Sequence, residues 1–303
     1  MKITDLRWFY FKFRKPTVEG HRYTIRNPLV ILKKEGVIKL SDGYEIEFNK
    51  ENKQDILNVA LFALRTGITF GTAKYQWKLD QKNGILETHQ GVRFKISDIG
   101  VLDETFLSQI HFSGFDLKGK TVVTGGAYIG DTPLFYSYCG ANVFAFEPDP
   151  NSFKRAEENI ILNPSLQANI KLINYAIGED GEVEFPVNSD SGVSSIYEAS
   201  NKKTVTVKSV CLSTILNEFN IKEPYLLDLD IKGSEFTTIL DNSISKFERV
   251  RIEYSPYLLN RTDKTLDLLV QKLNAYGFNK IRVYKHNNLR FDLIHHGTLE
   301  AGK

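Results

Sequence analysis

From Lys120 onward the chain alternates short runs that are apolar throughout with segments of helical periodicity, and this alternation constrains the fold most. The strand candidates are Thr121–Thr124, Asn142–Phe146, Ile170–Tyr175, Tyr225–Leu229 and Val250–Tyr254. The helix candidates are Thr132–Tyr138, Asn151–Asn163, Leu212–Phe219, Glu235–Leu240 and Lys264–Tyr276. A strand apolar on both faces must be covered on both faces, and strand–helix–strand connections supply that cover for a parallel sheet. An α/β domain is therefore expected over residues 99–303. Its tail differs: Lys280–Tyr284 and Arg290–Ile294, around His286-Asn287-Asn288, read as an antiparallel pair. Glu182–Val210 interrupts the rhythm with short strands and Ser- and Gly-rich turns, an insertion expected on the substrate side.

Residues 1–98 have another texture, and a smaller α+β, largely β subdomain is expected there, structural or on the acceptor side. Val37–Phe48 reads as two strands around Ser41-Asp42-Gly43. Trp77–Asp80 and Ile85–Thr88 read as a hairpin across Lys82-Asn83-Gly84. Between them Gln54–Leu64 has helical spacing and stops before Gly67. Leu102–Ile110 reads as a further helix that Asp98 or Asp103 could cap.

Charge divides unevenly along the chain. Residues 1–40 hold 10 basic and 3 acidic residues, although the whole chain is nearly balanced at 39 and 37. That excess suits an anionic partner, yet it is too dilute for a dense nucleic-acid stripe. Arg7-Trp-Phe-Tyr-Phe-Lys-Phe-Arg-Lys15 reads first as a packed edge strand. The other reading is a weak contact with a membrane surface or a lipid-linked glycan. Two cysteines, Cys139 and Cys211, cannot build a disulfide framework, and the longest apolar run, Val59–Leu64, is far too short to cross a bilayer. With no apolar leader after Met1, a cytoplasmic location is expected.

The chemistry begins at Gly125-Gly126-Ala127-Tyr128-Ile129-Gly130, where an apolar strand turns sharply into a helix. Glycines there let backbone N–H groups approach a ligand at the helix N-terminus. The next strand ends in Glu147-Pro148-Asp149, with Glu147 21 residues after Gly126. An acidic side chain at that spacing is placed to accept hydrogen bonds from ribose hydroxyls. The plain alternative is an acidic turn capping the helix from Asn151. The six histidines show no close metal spacing, and no metal site is expected; His89 and His286 are the better candidates for chemistry because both fall in loops.

Six motifs in order then carry a resemblance. Val122-Val-Thr-Gly-Gly-Ala-Tyr-Ile-Gly-Asp-Thr132 and Phe144-Ala-Phe-Glu-Pro-Asp149 resemble the first two motifs of the FkbM family of S-adenosylmethionine-dependent methyltransferases. Asn174–Gly181 is similar to the family segment after strand three, and Ser191-Gly-Val-Ser-Ser195 to its Gly-x-Ser-Ser stretch. Leu226–Glu235 resembles the strand-four signature, and Val250-Arg-Ile-Glu253 the strand-five glutamate. The resemblance covers about residues 100–295. It implies a Rossmann-like sheet of seven strands, mostly parallel with the last antiparallel. It also implies O-methylation of a saccharide or related metabolite, without a metal. S-adenosyl-L-methionine would lie against Thr124, Gly126, Ala127, Tyr128, Gly130, Asp131, Thr132, Glu147, Pro148, Asp149, Tyr175 and Ala176.

Two departures stand out. The family has an acidic residue where Thr124 ends strand one, and its Lys-x-Asp-x-Glu-Gly becomes Asp228-Leu-Asp-Ile-Lys232-Gly. Asp228 and Lys232, four residues apart across a turn, are expected to pair with each other. Asp230, Glu235 and Glu253 are the candidates for proton acceptor or positioner of the acceptor hydroxyl, each with a helix-capping or strand-end alternative. Two other functions stay open. One is an RNA methyltransferase using the basic N-terminal segment, although nucleic acid is the weaker partner because the strand-four loop lacks the Asn/Asp-Pro-Pro-aromatic pattern. The other is a non-catalytic cofactor-binding or scaffold protein.

Overall fold

The computed structural model describes residues 25–70, 76–109, 116–186, 204–256, 264–285 and 293–303. The segment 7–15, Ser191–Ser195, His21, His111 and His286 lie outside them. The chain divides into two compact units, Met1–Ser113 and Gly114–Lys303.

In the first unit, β1 (Gly36–Lys39) and β2 (Glu45–Phe48) form an antiparallel hairpin. Asp42 accepts the Tyr44 N–H at 3.0 Å and holds the turn. Helix α1 (Lys53–Thr66) buries Ile56, Leu57, Val59, Ala60 and Phe62, and Gly67 ends it in the left-handed region at φ 77°. Strands β3 (Lys78–Asp80), β4 (Ile85–Glu87) and β5 (Arg93–Lys95) make a three-stranded antiparallel sheet. The helix expected over Leu102–Ile110 is instead a short 3-10 turn, Ile96–Val101, followed by a π turn, Asp103–Ser108, without a side-chain cap. The Asp103 carboxylate is engaged elsewhere, accepting from Arg65 of α1 at 2.8 Å. This tie lies within the first unit.

The second unit is built on seven strands: β6 (Thr121–Gly125), β7 (Asn142–Phe146), β8 (Ile170–Ile173), β12 (Pro224–Leu229), β13 (Arg249–Tyr254), β14 (Lys280–Tyr284) and β15 (Gly297–Gly302). Their spatial order is β14-β15-β13-β12-β6-β7-β8, a mostly parallel sheet in which β15 alone is antiparallel to both neighbours. Helices α2 (Asp131–Tyr138), α3 (Pro150–Ile161), α4 (Pro164–Gln167), α5 (Leu212–Glu218), α6 (Glu235–Thr238) and α7 (Leu266–Ala275) connect them. Val123, Leu227, Leu229, Val250, Ile252 and Leu299 pack into one buried cluster with Leu212, Ile215, Phe236 and Leu269 from the helices. This is the expected α/β, Rossmann-like methyltransferase sheet.

The final strand corrects one expectation. It runs over Gly297–Gly302, beyond the expected Arg290–Ile294, of which only Leu293 and Ile294 fall within the described residues. Its ends are small where β13 is bulky: a Cβ on Gly297 would meet the Tyr254 hydroxyl at 2.6 Å, and one on Gly302 the Arg249 guanidinium at 2.5 Å. Leu293 and Ile294 form a turn. The interrupting segment contributes β10 (Gly181–Pro186) and β11 (Thr204–Val210), antiparallel to each other, with β9 (Ala176–Ile177) parallel to β11. Among the described residues no helix is long and apolar enough to cross a membrane.

Candidate active site

The C-terminal ends of β6, β7, β12 and β13 lie side by side, which is where open α/β sheets hold ligands. After β6 the backbone turns through Gly126 at φ 86° and Tyr128 at φ 46° before Gly130 caps α2 at φ 85°. The glycine at 126 is a steric requirement: a Cβ there would collide with the Asp230 carbonyl oxygen of the β12–α6 loop. The two loops are also tied by the Asp230 N–H, which donates to the Gly125 carbonyl at 3.0 Å. Cofactor-side loop and strand-four loop are thus packed backbone to backbone.

Glu147, 6% exposed, braces the glycine loop. One carboxylate oxygen accepts the Tyr128 N–H at 2.7 Å and the other the Asp149 N–H at 2.9 Å. Burial pushes this carboxyl up to about 8, against those two N–H groups, which favour the charged form. In the unfolded chain the group titrates near about 4.3. Between there and about 8 the native state holds a proton that the unfolded state has lost, so stability falls as pH rises through that window. Melting temperature is therefore expected to decline more steeply from about pH 5 to about pH 8 in the wild type than in Glu147→Gln. Parallel curves would mean that the carboxylate is already charged in the folded protein.

The other residues expected on the cofactor side have mixed placements. Gly126, Ala127 and Tyr128 form the loop; Asp131 and Thr132 are buried in the first turn of α2. Asp149 caps α3, accepting the Asn151 N–H at 3.0 Å, so the acidic turn does serve as a helix cap. Pro148 is held by Asn174, whose amide donates to the Glu147 and Pro148 carbonyls at 2.7 and 3.2 Å. Tyr175 lies under the Lys208 ammonium, 4.2 Å from its ring centroid, and Ala176 is buried in β9.

Strand four departs from the expected pairing. Asp228 does not meet Lys232. It is 1% exposed and pairs with the equally buried Arg251 on β13, its direct neighbour in the sheet register. Tyr136 of α2 donates to the same carboxylate at 2.8 Å, and Thr124, the register partner of Asp228 on β6, at 3.3 Å. Lys232 turns the other way at φ 45° and sets its ammonium 2.5 Å from Asp230 and 2.7 Å from Glu253. A turn reverses the side-chain direction that a simple four-residue spacing suggests.

The three candidate carboxylates therefore separate. Glu235 is fully buried and points inward, accepting the Gly233 N–H at 2.5 Å and the Ser255 N–H at 2.7 Å. Burial lifts its carboxyl to about 7. Glu253 is buried beside Lys232, with His296 Nε2 3.7 Å away. Asp230 has a side chain 30% exposed, and burial together with the Glu253 charge raises its pKa above the usual carboxylate range, against the pull of Lys232. Asp230 and Glu253 are brought together through Lys232; Glu235 serves the backbone. Sequence reading missed Arg251, Tyr136 and His296. For Arg251 a signal existed, since a charge inside a central apolar strand needs a buried partner. Of the two favoured histidines, only His89 falls within the described residues, where it accepts from Trp77 at 3.2 Å. Among those residues no cluster suits a metal ion.

A family model described as the methyltransferase FkbM domain matches residues 125–280, half of the chain, from the glycine loop through Glu253. The chain belongs to the FkbM methyltransferase family. The hexuronic acid methyltransferase AglP of Haloferax volcanii is 24% identical over 116 residues, 37% of this chain and 47% of that protein. The chain thus spans about half the length of the curated relative it matches. Among solved structures, methyltransferase FkbM from Methylobacillus flagellatus KT is 18% identical, with a TM-score of 0.45 over 65% of this chain and 47% of that one. The METTL16 MTase domain is 14% identical, with a TM-score of 0.42 over 90% and 87%. The FkbM family implies S-adenosylmethionine as cofactor, and the residues fit it. The glycine loop leads straight into the N-terminus of α2, and each Glu147 carboxylate oxygen, accepting one N–H, keeps a second lone pair for a hydroxyl donor.

Proposed function

We propose that the protein is an S-adenosylmethionine-dependent O-methyltransferase whose acceptor is a hydroxyl of a saccharide or related metabolite. The observation that carries this reading is the contact between the glycine loop and the loop bearing Asp230, which sets that loop beside a partly exposed carboxylate at the C-terminal ends of β6 and β12. The loop amides and Glu147 would hold the cofactor, Glu147 accepting from ribose hydroxyls. When bound, the cofactor supplies an electrophilic methyl group on a sulfonium. Asp230 would take the proton of the acceptor hydroxyl, and its raised pKa moves it toward the range useful for a base. Lys232 keeps that carboxylate oriented, and Glu253 holds Lys232 from the other side. Saccharide as the acceptor class is supported by the hexuronic acid methyltransferase relative and by the family resemblance of the six motifs.

Glu147→Ala should weaken S-adenosylmethionine binding by about 1.5–3 kcal/mol, or about ten- to a hundredfold, in a calorimetric titration run above about pH 8, where the carboxylate is charged. Asp230→Asn should keep that affinity and lose methyl transfer to a uronic-acid-containing glycan pool. Unchanged affinity in Glu147→Ala removes the cofactor placement. Transfer to bulk RNA but not to glycans would replace the acceptor class, and binding without any transfer would favour the scaffold reading.

A further inference from the structure

The 3-10 helix Pro28–Leu32, in the first unit, carries four consecutive apolar side chains of opposite fate. Val30 and Ile31 are buried, 9% and 3% exposed, whereas Leu29 and Leu32 stand 72% and 61% exposed. Lys33, Lys34 and Glu35 follow, all exposed, and Arg26 is exposed just before.

We propose that this tip, with Leu29 and Leu32 projecting beside Lys33 and Lys34, docks the protein on an anionic lipid surface. The tip is pinned, so the leucines are presented rather than loosely exposed. Asn27 donates to the Val37 carbonyl at 2.8 Å and accepts the Lys39 N–H at 2.9 Å, tying the entry to β1. Lys53 of α1 donates to the Lys33 carbonyl at 2.8 Å and fixes the exit. Val30 packs against β1 so closely that a Cβ on Gly36 would meet it at 2.6 Å. Two leucines on a fixed support can enter the headgroup boundary without unfolding anything.

The size of the patch argues against a protein partner. A stable protein interface needs roughly 800 Å² on each side, several times what two leucine side chains supply. Charge argues for lipid. Among the described residues at the tip, Arg26, Lys33 and Lys34 are exposed against one acidic neighbour, Glu35, and anionic headgroups attract that excess. This proposal does not depend on the enzymatic reading, because it concerns only how the chain is held at a surface.

The test is co-sedimentation of the full chain with vesicles of pure phosphatidylcholine and with vesicles holding about 30 mol% phosphatidylserine. Binding is expected to the anionic vesicles only. Leu29→Ser/Leu32→Ser should lower that partition at least about tenfold. Reversing Lys33 and Lys34 to glutamate should lower it more than about twentyfold, at about fivefold for each lysine removed. Both variants should keep the wild-type melting temperature, since the altered side chains are exposed. Absence of binding, equal binding to both vesicles, or wild-type binding by the serine variant overturns the proposal. So does a dimer in sedimentation equilibrium that the serine variant dissolves.

Discussion

Gly126→Ala should abolish measurable S-adenosylmethionine binding and cost about 2–4 kcal/mol of stability, a larger effect than any surface change in the molecule. Two separate costs add at this position. The backbone sits at φ 86°, where a Cβ is disfavoured by about 1–2 kcal/mol. The new methyl would also collide with the Asp230 carbonyl oxygen, a backbone atom held by its own neighbours, so one loop must move. Movement there separates the glycine loop from the loop of Asp230 and Lys232, the arrangement on which the proposed cofactor binding and transfer rest. Gly119→Ala is the control. It has a similar φ of 70° but nothing within 4 Å of the added methyl, so it bears the conformational cost alone and should bind the cofactor normally. Calorimetry for affinity and urea unfolding for stability separate the two contributions. If both variants behave alike, the contact between the loops is not what the site requires.

That result bears on what a sequence can disclose. The sheet was legible because the strands of its parallel core are mostly apolar on both faces, which calls for cover on both sides. The glycine loop and Glu147 were legible because the turn and the acidic strand end are separated by a fixed span of chain. Legibility stopped where partners come from distant strands. Asp228 meets Arg251 and Thr124 through sheet register and Tyr136 from α2, and no local spacing shows which residues lie opposite each other. The last strand was misplaced for a related reason. Gly297, Ala301 and Gly302 look unlike a strand in isolation and are selected by the bulk of Tyr254 and Arg249 on the neighbour. Glu235 shows the converse failure: its position suggested a site residue, while its carboxylate is occupied by two backbone N–H groups.

The buried pair beneath the glycine loop gives the other large expected effect. Arg251→Met should destabilise the protein by about 3–5 kcal/mol, because Asp228 would be left almost fully buried without its counter-ion. Asp228→Leu should cost a similar amount: Arg251 already has Nε and Nη2 without hydrogen-bond partners and depends on this carboxylate for compensation. The double change, Asp228→Leu/Arg251→Met, removes both charges together and should recover much of the loss. Recovery should be incomplete by about 1–3 kcal/mol, since the Tyr136 and Thr124 hydroxyls would lose their shared acceptor. Denaturant unfolding of the four proteins measures the coupling. The parallel cycle with Asp228→Leu and Lys232→Met should be additive, as Lys232 is engaged by Asp230 and Glu253 instead. Additivity in the first cycle with coupling in the second would restore the pairing suggested by sequence spacing. The expected pattern instead makes Thr124 intelligible: the acid missing from the end of strand one is supplied across the register by Asp228, and Arg251 is the cation that lets it stay buried.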